Sequence, residues 1–211
     1  PQTTILENNN VKGVFTGWLT PPEYTKKQPM LLIDSEESIS SPYGSILSGR
    51  VFGGNGIVKL KMGEKTEDFI TVDDQNASIE SIIESDINIA VIQNKNTLFN
   101  KKIIAIPDKS PKVDFIEKPK ATIKGILDIN YVFGDDYAVT KLYAKIFLKE
   151  NLSILAQDQI NFNIPYENSD DIQTFGRYYH DLTEHIWAGL PVKISMNVED
   201  YIGQVGESEV L

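Results

Sequence analysis

The amino-acid sequence predicts an all-β protein: two consecutive Ig-like or fibronectin-like antiparallel β-sandwich modules, with one short helix near residues 181–188. Apolar and polar residues alternate along several stretches, as they do in strands that bury only one face. Turn-forming residues recur about every 8 to 12 positions, which is the spacing of short strands in a sandwich. A segment with two prolines, residues 106–113, interrupts this pattern and places the modules at residues 11–107 and 108–211.

The composition narrows the possible classes of function. The chain has 211 residues, enough for two modules of about 100 residues, and its 41% hydrophobic content is sufficient for packed cores. A net charge of −10 disfavours binding to nucleic acid or to an anionic membrane surface, because both would repel it. The absence of cysteine excludes disulfides and thiolate metal sites, and we expect no cofactor.

The first module carries clear stop and turn signals. The segment at residues 11–19 is predicted as a strand that Pro21 and Pro22 end, because proline cannot donate to a sheet ladder. The sequence G-G-N-G at residues 53–56 predicts a hairpin turn, since glycine and asparagine adopt positive φ at little cost. It lacks the lysine and the helix that follow a phosphate-binding loop. The next strand has a period of two residues, and its apolar face carries Val58, Leu60 and Met62.

The second module shows the alternation more clearly. Three stretches place apolar residues on one face and lysines or other polar residues on the other, as in a sheet with one buried and one solvent-exposed face. The apolar faces carry Ile123, Leu127, Ile129 and Tyr131 in the first stretch, Leu142, Ala144, Ile146 and Leu148 in the second, and Val192, Ile194, Met196 and Val198 in the third. We therefore expect these stretches to form antiparallel sheet.

A helical candidate lies near residues 181–188. Asp181 is a suitable N-cap, and Glu184 follows three residues later as its reciprocal capping partner. Gly189 is a suitable residue to end the helix. The pattern supports one or two turns, and we expect Trp187 on these turns to fill part of a core.

The same segment contains the candidate transition-metal ligands His180, Glu184 and His185. Zinc sites on a helix use ligands four residues apart on one face. The two histidines are five residues apart and would point in different directions on a helix. We therefore interpret the segment as a capped turn and expect no transition metal there.

Acidic pairs in the loops of the second module are candidate calcium ligands: Asp135, Asp136, Asp170, Asp171 and Asp200. Calcium requires several convergent oxygens, and loops at one end of a sandwich can converge. None of the pairs belongs to a D-x-D-x-D-G loop. The alternative is turn chemistry, since aspartate side chains accept hydrogen bonds from nearby backbone N–H groups.

No sequence motif indicates an enzyme. The chain has no G-x-S-x-G nucleophile motif and no thiol, and its 30 acidic residues make any carboxylate pair uninformative about glycoside hydrolysis. Several aromatic residues are candidates for stacking on sugars, although such residues more often fill a core or seal a junction. They are Trp18, Tyr24, Tyr43, Tyr178 and Tyr179.

Six stretches, in this order, carry a resemblance to a known family. They are G-W-L-T-P-P-E-Y-T at residues 17–25, G-S-I-L-S-G-R-V-F-G-G at 44–54, I-P-D-K-S-P-K-V at 106–113, D-D-Y-A-V at 135–139, D-L-T-E-H-I-W-A-G-L at 181–190 and E-D-Y-I-G-Q-V-G at 199–206. The chain resembles the extracytoplasmic Ig-like region of a bacterial membrane-protein family, domain of unknown function 4175. Members tend to have proline after T-E-H, where this chain has Ile186.

The resemblance implies a soluble piece of a longer, membrane-anchored protein on the periplasmic side of the inner membrane. It carries over no catalytic residue. We expect a non-catalytic interaction or spacer region whose partners are envelope proteins or other parts of the same chain, with Tyr137 as a possible interaction residue. The alternatives are a carbohydrate- or peptidoglycan-binding module and an accessory domain of an envelope hydrolase.

Overall fold

The computed structural model describes residues 11–34, 37–122, 125–149, 159–167 and 173–211. The chain forms two compact units, and the second begins at Lys109. Within the described residues the regular structure is β-strand, apart from a 3-10 turn at Glu23–Thr25, so the prediction of an all-β protein is confirmed. No helix in this part of the chain has the length and apolar character that a membrane span requires.

In the residues that the structure describes, the first unit contains ten strands in two sheets. The strands are β1 (Val14–Thr20), β2 (Met30–Leu31), β3 (Ser38–Pro42), β4 (Ser45–Phe52), β5 (Val58–Met62), β6 (Lys65–Asp68), β7 (Ile70–Asp73), β8 (Asn76–Ile83), β9 (Ile87–Gln93) and β10 (Asn96–Ile106). One sheet has the order β2-β1-β4-β8-β7 and the other β3-β10-β9-β5-β6. Residues that point inward from both sheets form one core, including Leu19, Leu47, Leu60, Ile89 and Ile103, each of which is at most 1% exposed.

One strand pair of this unit departs from the predicted antiparallel arrangement. Strand β3 runs parallel to β10, with Ser38 opposite Lys102 and Pro42 opposite Ile106. Parallel neighbours cannot be joined by a tight hairpin, and here the long stretch from β4 to β9 lies between them in sequence. After β3 a short turn with Gly44 at φ 78° leads the chain into the opposite sheet as β4.

The described part of the second unit contains eight strands in two sheets. The strands are β11 (Lys112–Phe115), β12 (Lys120–Ala121), β13 (Ile126–Gly134), β14 (Val139–Leu148), β15 (Gln159–Asn163), β16 (Thr174–Asp181), β17 (Val192–Asp200) and β18 (Val205–Glu207). In one sheet β11 and β12 pair with β13, and β16 pairs with β13 over its whole length; the other sheet has the order β15-β14-β17-β18. The inward faces of both sheets meet in one core, which includes Ile129, Leu142, Ile146 and Met196.

The predicted helix near residues 181–188 is wrong. Asp181 is the last residue of β16, and the chain then makes successive turns in which the N–H groups of His185, Ala188 and Leu190 each donate to the carbonyl three residues earlier. Asp181 Oδ1 accepts a hydrogen bond from the backbone N–H of Thr183, two residues on, at 2.9 Å. This is an Asx turn, so the aspartate caps a turn and not a helix.

Candidate functional site

The outward face of β16 exposes two aromatic rings on either side of an arginine. Phe175 is 69% exposed and Tyr179 is 54% exposed, and the exposed Arg177 lies between them. We call these three residues the aromatic face. Side chains of a strand alternate between the two sides of a sheet, so residues 175, 177 and 179 share one side. Large apolar rings are usually buried, and two of them exposed on one strand need an explanation.

The inward face of the same strand is fixed by aromatic packing. His180 stacks on Phe162 of β15, with ring centroids 3.7 Å apart and an interplanar angle of 4°. Tyr178 lies 6.0 Å from the same Phe162 ring. A Cβ atom at Gly176 would collide with the ring of Tyr131, so only glycine fits there. This packing fixes which face of β16 is buried, so Arg177 and its two aromatic neighbours face outward.

A bidentate ion pair holds Arg177 in place. Its Nε and Nη2 donate to Oδ1 and Oδ2 of Asp128 on the adjacent β13, at 2.9 and 2.6 Å. The hydrogen bond from Arg177 lowers the pKa of the Asp128 carboxyl below its usual value, and the same bond raises the pKa of the guanidinium. The guanidinium also lies 5.1 Å from the centre of the Tyr179 ring, a cation–π distance.

A second charged pair lies beside the first. Glu117 accepts hydrogen bonds from Lys120 Nζ and from Asn130 Nδ2, each at 2.6 Å. The bond from Lys120 lowers the pKa of the Glu117 carboxyl. Asn130 is directly opposite Arg177 in the β13–β16 register, so the two pairs adjoin on one face of the sheet. Each cation of this surface is therefore matched by an anion.

The arrangement is suited to binding. Two exposed rings are separated by four residues of extended chain, about 13 Å at the rise of a β-strand. The polar groups between them are oriented by their ion pairs, and none is a nucleophile that a neighbouring base activates. Sequence reasoning named Tyr179 and missed Phe175 and Arg177. The only signal for them is their spacing of two residues along T-F-G-R-Y-Y.

The other aromatic candidates have different environments. Trp18 is half-buried, with the Arg50 guanidinium 6.0 Å from its ring centre. Tyr24 and Tyr178 are half-buried as well, whereas Tyr43 on the first unit is 47% exposed. The structure therefore places only Tyr179 of the five on a surface with a second exposed ring beside it on the same strand.

The described acidic residues considered for calcium accept hydrogen bonds from backbone N–H groups. Asp135 Oδ2 accepts from the backbone N–H groups of Tyr137 and Ala138, at 3.2 and 2.9 Å, while burial raises the pKa of the Asp135 carboxyl. Asp136 Oδ1 accepts from the N–H of Lys109 at 3.3 Å. Asp200 Oδ1 accepts from the N–H of Gln204 at 2.7 Å. Asp170 and Asp171 lie outside the described residues, and the calcium hypothesis stays a prediction.

Tyr137 is half-buried and belongs to the turn that Asp135 organises after β13. Its role as an interaction residue stays a prediction. Of the two histidines, His180 lies in the aromatic stack, and His185 Nδ1 accepts a hydrogen bond from the N–H of Trp187 at 3.2 Å. In the described part of the chain, no group of three metal-ligating side chains includes either histidine.

A cavity of about 450 Å³ lies at one end of the second unit. It is lined by both charged and apolar residues, among them Lys112, Asp114, Phe133, Asp135 and Gln173. The Asp135 carboxylate in its wall is already engaged by two backbone N–H groups. Asp136 also borders the cavity, and a carboxylate oxygen of Asp135 lies within 4.8 Å of one of Asp136.

The comparisons with known proteins include a solved structure and a family profile. The structure of a DUF3823 family protein from Bacteroides ovatus ATCC 8483 is 9% identical, with 81% of this chain and 96% of that chain covered and a TM-score of 0.29. No curated protein matches. The profile of the family described as Domain of unknown function (DUF4175) matches residues 6–211. Since that match spans nearly the whole sequence, the chain belongs to the DUF4175 family.

Proposed function

We propose that this chain is a non-catalytic region that acts by contact, as an interaction or spacer segment of a bacterial envelope membrane protein on the periplasmic side. The observation that carries the proposal is the cause of each shifted carboxyl pKa. Among the described residues, the carboxyl pKa values of Asp73, Glu117, Asp128 and Asp181 are lowered, and each shift is explained by a turn or an ion pair. Burial raises the pKa of the Asp135 carboxyl, which borders the cavity, and Asp135 Oδ2 accepts from two backbone N–H groups of its own turn. Turns, ion pairs and burial therefore account for these shifts, whereas an active site gathers shifted groups around a substrate.

An exposed apolar surface on the first unit supports a contact role. The outward side of the sheet that contains β1, β4 and β8 exposes Leu31, Ile46 and Ile82. Ile46 lies directly opposite Ile82, and Leu31 lies opposite the half-buried Trp18. Apolar residues grouped in this way on a sheet face are typical of surfaces that meet a partner. We call these four residues the apolar face.

The contact-only role has a direct biochemical test. The purified chain is incubated with soluble glycans, peptidoglycan fragments and peptides, and the products are analysed by mass spectrometry. We expect no turnover of any substrate. Turnover that a single carboxylate substitution abolishes, while the melting temperature is unchanged, would contradict the proposal.

The periplasmic location requires the full-length protein in its own cell. Protease is added to intact cells, to spheroplasts and to lysed spheroplasts, and the region is followed with an antibody. We expect digestion in spheroplasts, in which the inner membrane is still closed. Digestion only after lysis of that membrane would place the region in the cytoplasm and contradict the location.

A further inference from the structure

We infer that the aromatic face, Phe175, Arg177 and Tyr179, is a binding surface for an uncharged glycan chain. The inference rests on the proposed contact role and goes beyond it by naming the ligand class and the residues that hold it. Phe175 and Tyr179 are 69% and 54% exposed on one side of β16. One side of a sugar ring presents C–H groups, and these pack against aromatic faces in the same way as other apolar surfaces do.

Oriented polar groups lie between the two rings. Arg177 has five N–H donors, and the ion pair with Asp128 uses only Nε and one hydrogen of Nη2. The Arg177 side chain is 55% exposed and the Asp128 side chain 13% exposed, so the remaining guanidinium N–H groups are the contact that this pair offers to a ligand. A sugar hydroxyl oxygen can accept hydrogen bonds from these N–H groups. The pair is held rigid, so binding loses little side-chain entropy.

The charge balance of the surface favours an uncharged ligand. Arg177 is paired with Asp128 and Lys120 with Glu117, so each of these two cations is neutralised by a carboxylate. A phosphate or an acidic polysaccharide is bound best by cations that are not already paired. The net charge of −10 adds a general repulsion of anions. An uncharged glycan meets neither obstacle.

The spacing of the rings indicates a chain and not a single sugar. Phe175 and Tyr179 are separated by about 13 Å along the strand, which is longer than one pyranose ring. A linear oligosaccharide that runs along β16 would stack on one ring at each end and contact Arg177 between them. We therefore expect affinity to rise with the number of sugar units until both rings are covered.

The test uses the whole 211-residue chain and four uncharged oligosaccharides of six units: cellohexaose, xylohexaose, mannohexaose and chitohexaose. Binding is measured by calorimetry, and the contacted residues are located by NMR chemical-shift changes. We expect at least one ligand to bind, with Phe175→Ala and Tyr179→Ala each weakening the affinity about tenfold, as for other aromatic anchors. The matched control is Tyr43→Ala, since Tyr43 is also an exposed tyrosine but lies on the first unit.

Three outcomes would overturn the inference. The first is that no uncharged oligosaccharide binds at millimolar concentration, even though the variants and the wild type melt at the same temperature. The second is that a ligand binds equally well to the Phe175→Ala/Tyr179→Ala double variant. Capture of an envelope protein that depends on Phe175, without glycan binding, would also reject the glycan but leave the contact role standing. Hydrolysis of a bound oligosaccharide would reject the contact-only role and leave the binding surface standing.

Discussion

At the scale of single residues, burial against an aromatic ring controls the protonation of His180. The imidazole is half-buried and stacks on Phe162. Burial lowers the pKa of His180 below its ordinary value, and His185 acts in the same direction, while the negative charge of Asp181 partly opposes them. The folded protein therefore keeps this side chain neutral at a pH where the unfolded chain already binds a proton.

This difference predicts a loss of stability on mild acidification. Since the folded pKa of His180 lies below the unfolded value of about 6.5, its contribution to stability is complete at higher pH and falls as the pH drops below that value. Urea unfolding at about pH 7.5 and about pH 5.5 measures the loss. The variant His180→Phe keeps a ring against Phe162 and cannot titrate, so we expect a smaller loss. An equal loss in both proteins would show that His180 is not responsible.

Trp187 gives a second prediction at this scale. The residue is 3% exposed, so its predicted burial is confirmed, and its Nε1 has no hydrogen-bond partner among the described residues. Trp187→Ala should lower the free energy of unfolding by about 3–5 kcal/mol, the usual range for a buried aromatic. Trp187→Phe should cost less than about 1.5 kcal/mol, because it keeps most of the volume and loses no hydrogen bond. Urea unfolding of both variants is the measurement, and equal costs would contradict the argument.

At the scale of elements, a buried glutamine ties two segments of the first unit together. Gln93, at the end of β9, is 2% exposed. Its Oε1 accepts from the N–H of Gly13, just before β1, at 2.7 Å, and its Nε2 donates to the carbonyl of Gly53, just after β4, at 3.2 Å. The side chain thus satisfies a buried backbone donor that no strand pairing reaches.

We expect Gln93→Met to destabilise the first unit by about 1–3 kcal/mol, because the Gly13 N–H would stay buried without an acceptor. Methionine has nearly the same length, so the change tests the hydrogen bonds more than the packing. The matched control is Gln75→Met, since the side chain of Gln75 is exposed on the same unit. Thermal unfolding is measured for both variants. Similar melting temperatures would show that the Gln93 hydrogen bonds do not stabilise the first unit.

The buried face of a strand could be predicted where apolar and polar residues alternate along it. Val58, Leu60 and Met62 alternate with lysines, and all three are buried as expected. Strand β16 has aromatic residues on both faces, with Phe175 and Tyr179 outward and Tyr178 inward, so its sequence does not indicate which face is exposed. That choice depends on Phe162 and Tyr131, which are distant in sequence. The aromatic face was therefore beyond local reasoning.

The incorrect prediction of a helix near residues 181–188 also arises because a distant strand outweighs a local signal. The capping pattern of Asp181 and Glu184 is a local signal, but β16 pairs with β13 through Asp181 itself. Pairing over the whole length of β16 outweighs the weak preference of a segment too short to form a stable helix. Ile186 is exposed and Trp187 is buried, so the turns still place the tryptophan where the sequence predicted it.

At the scale of the whole molecule, the chain is two units with separate cores. Each core draws its residues from two sheets of its own unit, and no described strand belongs to both units. The strand β10 and the turn after β3 complete the first unit, since the N–H of Tyr43 donates to the carbonyl of Ile106 at 2.8 Å. The second unit begins three residues later.

Separate cores predict that the units fold separately. Fragments of residues 11–108 and 109–211 should each show a cooperative unfolding transition, because each retains all the strands and the core of its unit. A fragment of residues 11–100 is the control: it lacks Ile103, which is 0% exposed, and the part of β10 that pairs with β3, so it should be unfolded. Circular dichroism and two-dimensional NMR distinguish folded from unfolded fragments. If either fragment is unfolded, the core of that unit is not sufficient for its folding, and the prediction of two separately folding units is wrong.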